Sequence, residues 1–442
     1  MDLDVNIQAA GADPERLEQL FQEAVRQGRR DAFASAVVAC HAATPDNVLY
    51  AAWYHRLRAV PEAAVAVPSR ARPGPNWALA VPLSIVTGLI FWALSDFEAQ
   101  QLTLGVPRLF LWAAPIATAG ALAYLALTGR RALGRALGVG LGLLALTAAV
   151  ELLIPRLAHP AWLARQAASV AAIHIPLLCW VGLGIAVLGV RSSTEDRFAF
   201  LIKSIEVAIT AGLFLIAGVA FGGITVGLFA ALGIELPELV LRLIAAGGVG
   251  LLPVLAVATT YDPRVRPAEQ DFDQGLSRFV ATLMRLLLPL TLVVLVIYVV
   301  VIPFAFMAPF RDRDVLFVYN VMLFAILGLL LGATPLRAEA VSPRLGRALR
   351  GGILAVAGLT VLVSLYALSA TVTRTVQGGW TLNRLTIIGW NAINIGILGL
   401  LLAKQSRAGT AWGERLQRVF GLATNAYVAW PLLLVLVVPL LF

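Results

Sequence analysis

The chain has 442 residues, of which 60% are hydrophobic and 13% charged, with a formal net charge of +9. Soluble domains carry about 25% charged residues, so a soluble globular fold of this size is excluded. The positive charge lies mainly in connectors between apolar runs, where it sets membrane orientation; it does not gather with aromatics on one polar face, so no nucleic-acid partner is expected.

The N-terminus, MDLDVNIQAAG, lacks a basic segment followed by an apolar core, so no cleaved signal is expected and residues 1–60 are read as cytoplasmic. Asp13-Pro14-Glu15 marks a helix start, and Leu17, Leu20, Phe21 and Ala24 follow at helical spacing, with Gly28 as the stop. Asp31 opens a second helix carrying Phe33, Val37 and Val38. Thr44-Pro45-Asp46 opens a third with Leu49, Trp53 and Leu57 on one face. The prediction is a three-helix unit over residues 1–60, with Phe21, Val37, Leu49 and Trp53 in contact. A unit this small buries little area, so it is read as leaning either on the membrane domain, as an N-terminal cap, or on a protein partner at residues 12–58. Residues 61–76, rich in Pro, Ala and Arg, read as a linker.

From Trp77 onward, apolar runs of about 20 residues recur, the length needed to cross a ~30 Å hydrocarbon core. In lipid each run must be a helix, because the backbone has no other source of hydrogen bonds. The fold class is therefore all-α, a polytopic transmembrane helix bundle with the lipid bilayer as its solvent. Eleven spans are predicted: 77–94, 107–128, 133–154, 168–190, 198–220, 237–258, 279–303, 315–333, 351–370, 384–403 and 420–441. Residues 221–234 are apolar but short, and read as a re-entrant segment, an interfacial piece or a tilted continuation of the fifth span. Arginines favour alternate connectors, including Arg130, Arg131 and Arg135, then Arg264, Arg266 and Arg278, then Arg337, Arg344, Arg347 and Arg350. This asymmetry predicts the N-terminus inside and the C-terminus outside, in a bacterial inner membrane. Trp77, Trp92, Trp112, Trp380 and Trp430 fall near span ends, as interfacial belts do.

The two cysteines, Cys40 and Cys179, lie in different regions, and the four histidines are scattered. There is no CxxC, HxxxH or HExxH, no Walker A, no GxSxG and no EF-hand, so neither a metal nor another cofactor is expected, and enzymatic activity is disfavoured.

Ionisable groups inside spans are expensive and mark candidate sites. Lys203, Glu206 and Thr210 share one face of the fifth span, and Glu206 lies about 12 Å past Phe198 at ~1.5 Å per residue. The group reads either as an internal ion pair or as a coupling carboxylate. On the tenth span Arg384, Asn391 and Asn394 form a polar face, with Gly389, Gly396 and Gly399 opposite, which predicts packing on all sides at the bundle centre, with Asn320 and Asn425 as partners. Gly134, Gly138 and Gly142 form a GxxxGxxxG stripe suited to close packing against another helix or a second protomer. Glu151 and His174 read as isolated structural residues.

Leu365-Tyr366-Ala367 reads as the end of the ninth span, and Arg374-Thr375-Val376-Gln377-Gly378-Gly379-Trp380-Thr381-Leu382-Asn383-Arg384 follows seven residues later. Over residues 200–405 the chain resembles the bacterial polytopic membrane family called domain of unknown function 4153. The family motif maps to Arg374, Gly379, Trp380, Thr381 and Arg384, with Gly378 standing where the family usually has Tyr. The resemblance implies a polytopic membrane fold and no particular activity. Read physically, Gly378-Gly379 allows a tight turn, Thr381 can cap the tenth helix, and Arg374 with Arg384 can snorkel or form an anion or lipid-headgroup site. Two functions follow: a secondary transporter or permease for a small polar solute or lipid, built on Lys203, Glu206, Asn391 and Asn394, or a membrane sensor or scaffold with the N-terminal unit as adaptor.

Overall fold

A computed structural model of the chain describes residues 3–26, 29–59, 74–96, 106–130, 132–157, 160–189, 191–272, 275–336, 342–405 and 412–437. Gly28, His159 and most of the 61–76 linker lie outside them. The chain divides into two compact units, residues 1–74 and 75–442. Among the described residues the regular elements are helices and there is no strand.

The first unit holds four helices: α1 (Leu3–Ala9), α2 (Pro14–Arg26), α3 (Arg30–Ala43) and α4 (Val48–Ala59). The first is an addition to the expected three. Ile7 and Ala10 bring it into a core with Leu17, Phe21, Phe33, Val37, Tyr50 and Trp53, and Leu49 packs against that core. Phe21, Phe33 and Trp53 form an aromatic triangle with centroids 5.1–5.5 Å apart. Tyr50 ties α4 to α1 by donating to the Ile7 carbonyl at 3.1 Å, and Asn47 caps α4 by accepting from the Leu49 and Tyr50 amides. Asn caps so well because its side-chain oxygen satisfies amides that the first turn leaves open.

The second unit is a multi-pass membrane bundle, with eleven helices among its described residues long and apolar enough to cross a bilayer. They begin with α5 (Trp77–Leu94), α6 (Arg108–Gly129), α7 (Leu133–Leu157), α8 (Ala161–Leu188) and α9 (Thr194–Ala231). The sixth crossing joins α10 (Glu238–Arg242) to α11 (Gly248–Thr260) through a π-helical turn at Leu243–Gly247. Then come α12 (Gly275–Val301), a short α13 (Ala308–Arg311), α14 (Arg313–Ala333), α15 (Pro343–Gly378), α16 (Leu382–Gln405) and α17 (Trp412–Leu432). One core packs α9, α12, α14, α15, α16 and α17 around Phe198, Leu330, Ile353, Leu398 and Leu416. A second centres on α8, through Leu163, Ala167, Ala171 and Ile175.

Residues 221–231 continue α9 and are neither re-entrant nor a separate interfacial piece. The Gly222-Gly223 pair does not break the helix, because in an apolar medium any break leaves backbone groups unsatisfied. The end comes at Gly233 (φ +68°), where Ile234 N–H reaches the Phe229 carbonyl and Gly233 N–H reaches Ala230, a Schellman closure. The start is four residues earlier than expected, at a Ser193 cap that accepts from the Asp196 amide.

Likewise Leu365-Tyr366-Ala367 does not end the ninth span. Helix α15 runs on to Gly378. Hydropathy falls after Ala367, but Thr371, Thr373 and Thr375 each bond the carbonyl four residues back. Ala370, Thr371 and Thr375 are also buried, so the polar stretch stays helical.

Within the chain, the glycine stripe of α7 packs against no other described helix. Gly134, Gly138 and Gly142 have no heavy atom within 4 Å of where a Cβ would stand. Glycine contact occurs instead between α5 and the π turn with α11: a Cβ on Gly88 would stand 2.8 Å from the Gly247 carbonyl, and one on Gly250 2.8 Å from the Gly88 Cα. Thr87 secures this crossing by donating to the Gly250 carbonyl at 2.7 Å.

Candidate functional site

Lys203 and Glu206 are 5% and 2% exposed, on the inward face of α9. Lys203 Nζ lies 2.8 Å from Glu206 Oε2, 2.7 Å from the Asp271 carbonyl and 2.9 Å from Ser277 Oγ, which gives an acceptor to each ammonium proton. The Phe272 ring lies 4.6 Å from Nζ. Ser277 Oγ also stands 2.8 Å from Glu206 Oε2 and 3.0 Å from the Asp271 carbonyl. The pair therefore ties α9 to the 261–272 connector and to the first turn of α12. Glu206 Oε1 is buried without a hydrogen-bond partner among the described residues. Thr210 does not extend the site: its hydroxyl donates to the Glu206 backbone carbonyl at 2.8 Å, on its own helix.

The connector is built to hold this position. Gln270 accepts from the Asp262 amide and donates to the Asp262 carbonyl, closing the loop on itself. Ala268 N–H reaches Asp196 Oδ1 in the first turn of α9. Tyr261, at the end of α11, has its hydroxyl pKa raised by burial, with Asp196 and Asp262 adding to the effect.

A second polar group lies along α16. Asn391 donates to Asn320 Oδ1 on α14 at 2.7 Å, and Asn394 accepts from Tyr427 on α17 at 2.7 Å. Trp390 donates to His174 Nε2 on α8 at 2.9 Å, so His174 is not isolated. Asn425 is exposed and does not join. Packing around α16 is uneven, because Gly389 lies hard against Trp430 while Gly396 and Gly399 face open space. No hydrogen bond or ion pair among the described residues joins this group to Lys203 and Glu206. Glu151 is not isolated either: it accepts from Arg108 and Trp112, both at 2.7 Å.

At the turn between α15 and α16, Thr381 caps α16 by accepting from the Arg384 amide at 3.3 Å. Arg384 Nη1 donates to the Gly379 carbonyl at 2.6 Å and so closes the turn. Arg374 lies in the last turns of α15, half-buried, with Nη1 unpartnered among the described residues. Gly379 takes φ +79°, and Trp380 is 63% exposed. The two arginines thus have different surroundings, one closing the turn and one inside a helix.

Two openings flank the first half of α9. One, of about 370 Å³, lies against α14, α16 and α17, with Leu201, Ile205, Phe324, Leu327 and Phe420 among its walls. The other, of about 350 Å³, lies against α6, α8 and α11, with Ala117, Ala121, Leu183, Val207 and Val257. Both include Trp180, Ser204 and Ala208, and Trp180 donates to Ser204 Oγ at 3.0 Å to form the partition. Sequence reasoning did not find these cavities. Nor did it find Ser277 and Asp271, which lie about seventy positions from Lys203 in a stretch marked only by polarity.

No family model, no curated protein and no solved structure matches the chain.

Proposed function

We propose that this multi-pass membrane protein is a permease whose cargo is a lipid or similar amphiphile rather than a small polar solute. The observation that carries the reading is the pair of cavities beside α9, each of the size of a small-molecule site and walled mostly by apolar side chains, with Lys203 the charged residue on the wall of the second. A polar solute needs polar groups converging on one passage. Here Lys203 and Glu206 are engaged with each other, with Ser277 and with the Asp271 carbonyl, and Asn391 and Asn394 with Asn320 and Tyr427, in two separate groups. On this reading Lys203 and Glu206 anchor α9 to the connector, and the cavities do the carrying. The arginine pattern supports an N-in, C-out orientation in a bacterial inner membrane, and the Arg374–Arg384 motif supports kinship with the domain of unknown function 4153 family.

Ala208 lines both cavities, so Ala208→Phe adds a bulky ring at their shared wall. In proteoliposomes the wild type is expected to speed transbilayer movement of fluorescent phospholipids, and Ala208→Phe to reduce the rate to that of empty vesicles while the protein stays folded. Wild-type vesicles that pass lipid no faster than empty ones would overturn the reading. The adaptor alternative draws on Val38 and Val48, which are 47% and 80% exposed on the first unit. It is tested by whether Val48→Glu abolishes a protein association of the full chain.

A further inference from the structure

A vestibule of about 140 Å³ adjoins the α6–α8–α11 cavity. Its lining includes Arg135, Tyr261 and Arg266 beside Ala132, Ala136 and Ala186. Leu125, Val187 and Tyr261 line the vestibule and the cavity alike, so the two adjoin at these three side chains, and a ligand seated across both would make a passage from a cationic to a mostly apolar lining.

The charge at the cationic end comes from Arg135. Arg266 Nε is taken by Glu269 at 3.0 Å, and Arg264 is paired with Asp262 at 3.4 Å, which leaves those two cations largely offset. Asp196, the other carboxylate packed against the connector, accepts from the Ala268 amide and from Ser193. Arg135 is different: Nε donates to the Ala186 carbonyl at 2.9 Å, and among the described residues no carboxylate pairs with it. That single bond to the end of α8 fixes the plane of the guanidinium. Close approach to Gly189 fixes it further, since a Cβ there would stand 2.6 Å from Nη1. A guanidinium held by one N–H keeps its remaining donors for a phosphate, which it can grip with two parallel bonds.

We infer that this passage seats an anionic phospholipid, its headgroup phosphate on Arg135 and an acyl chain in the cavity beside Trp180. The assignment rests on the permease reading and names its cargo class. Charge complementarity selects the head, and the apolar walls accept the chain. Tyr261, at the junction, offers a hydroxyl donor to the ester region. The vestibule lies at the end of the bundle that also carries Arg130, Arg191, Arg264 and Arg266, where anionic lipids collect.

The experiment extracts the full chain from bilayers of equimolar phosphatidylcholine and phosphatidylglycerol and identifies retained lipid by native mass spectrometry. The wild type is expected to retain phosphatidylglycerol over phosphatidylcholine by about tenfold, the scale of one charge-assisted contact, and to lose that preference at high salt. Arg135→Gln is expected to retain both lipids equally, and Leu125→Trp to retain neither. The wild-type salt series stands alone should a variant fail to fold. Equal retention of both lipids by the wild type overturns the headgroup assignment and leaves the permease reading intact; retention of neither overturns both. Displacement of phosphatidylglycerol by inorganic phosphate alone would make the seat a simple anion site and overturn the proposal.

Discussion

Trp390 on α16 donates its indole N–H to Nε2 of His174 on α8 across 2.9 Å, while His174 Nδ1 stands 2.7 Å from the Val170 carbonyl. The two contacts assign the ring's tautomer, with the proton on Nδ1 and the lone pair on Nε2. The rings lie nearly parallel, 12° apart, so the bond and the packing act together. This contact joins segments 216 residues apart in the chain.

Trp390→Phe keeps most of the packing and removes the donor. The buried Nε2 is then unsatisfied, at a cost of about 1–3 kcal/mol. Thermal unfolding in detergent should show a lower midpoint for the single variant. The double variant with His174→Leu should be less destabilised than the two single changes combined. Strict additivity would mean that the bond contributes nothing.

Glu206→Ala leaves the Lys203 ammonium buried without its carboxylate, and breaking a buried pair costs about 3–5 kcal/mol. Glu206→Gln retains an acceptor and should be milder. The informative comparison is Lys203→Met with Glu206→Leu in one chain, which removes both charges and should unfold at a higher temperature than Glu206→Ala. If Glu206→Ala matches the wild type, the pair does not hold α9 to its connector.

A methyl group on Gly389 would overlap the Trp430 ring, whereas one on Gly396 would meet nothing within 4 Å. Gly389→Ala should therefore destabilise by about 1–3 kcal/mol through overpacking. Gly396→Ala should be neutral or stabilise by up to about 1 kcal/mol through its effect on helix entropy. Trp430→Leu in the Gly389→Ala background should restore part of the loss. Equal effects of the two alanines would contradict the packing described for α16.

In the first unit the Glu18 carboxyl is held below its ordinary pKa of 4.5, first by the hydrogen bond from Arg56 and then by the one from Gln22. A depressed carboxyl stabilises the fold at pH above its unfolded value and loses that contribution as pH falls through the folded one. Both partners are well exposed, so the effect should stay below about 1 kcal/mol. The protection factors of the α2 and α4 amides, corrected for the intrinsic exchange rate at each pH, should fall below about pH 4.5 in the wild type. Glu18→Gln should exchange faster at neutral pH and show a flatter profile; an unchanged acid response would remove Glu18 from the account.

Most crossings were legible because lipid imposes one rule on the backbone, and long apolar runs announce it. Trp77–Leu94 coincides with the expected 77–94. The helix ends were less legible, because outside the core of the bilayer a helix can continue on side-chain-to-backbone bonds. The threonines of α15 do this, and hydropathy does not register them. Helix α1 was missed because Asp4, Asn6 and Gln8 dilute its apolar signal over seven residues. At the candidate site, the Lys203–Glu206 spacing was readable along one helix. The Ser277 and Asp271 partners, the Asn391–Asn320 bond and the Trp180 partition depend on how distant segments meet, which spacing along one helix does not encode.

The unbroken run of α9 has a mechanical consequence. At ~1.5 Å per residue its 38 residues extend for about 57 Å, nearly twice a ~30 Å hydrocarbon core. A rod of that length must lean, protrude or thicken the surrounding bilayer, each at an energetic cost that grows with the mismatch. The first half of this rod carries Lys203 and Glu206, and the apolar second half is mostly exposed, with Ile216, Val219, Phe221, Ile224 and Leu228 each more than 60% uncovered. Acyl-chain length in the host membrane therefore acts on the far arm of a lever whose near arm forms a wall of both cavities. Bilayer thickness thus bears on the tilt of the same helix that walls the cavities.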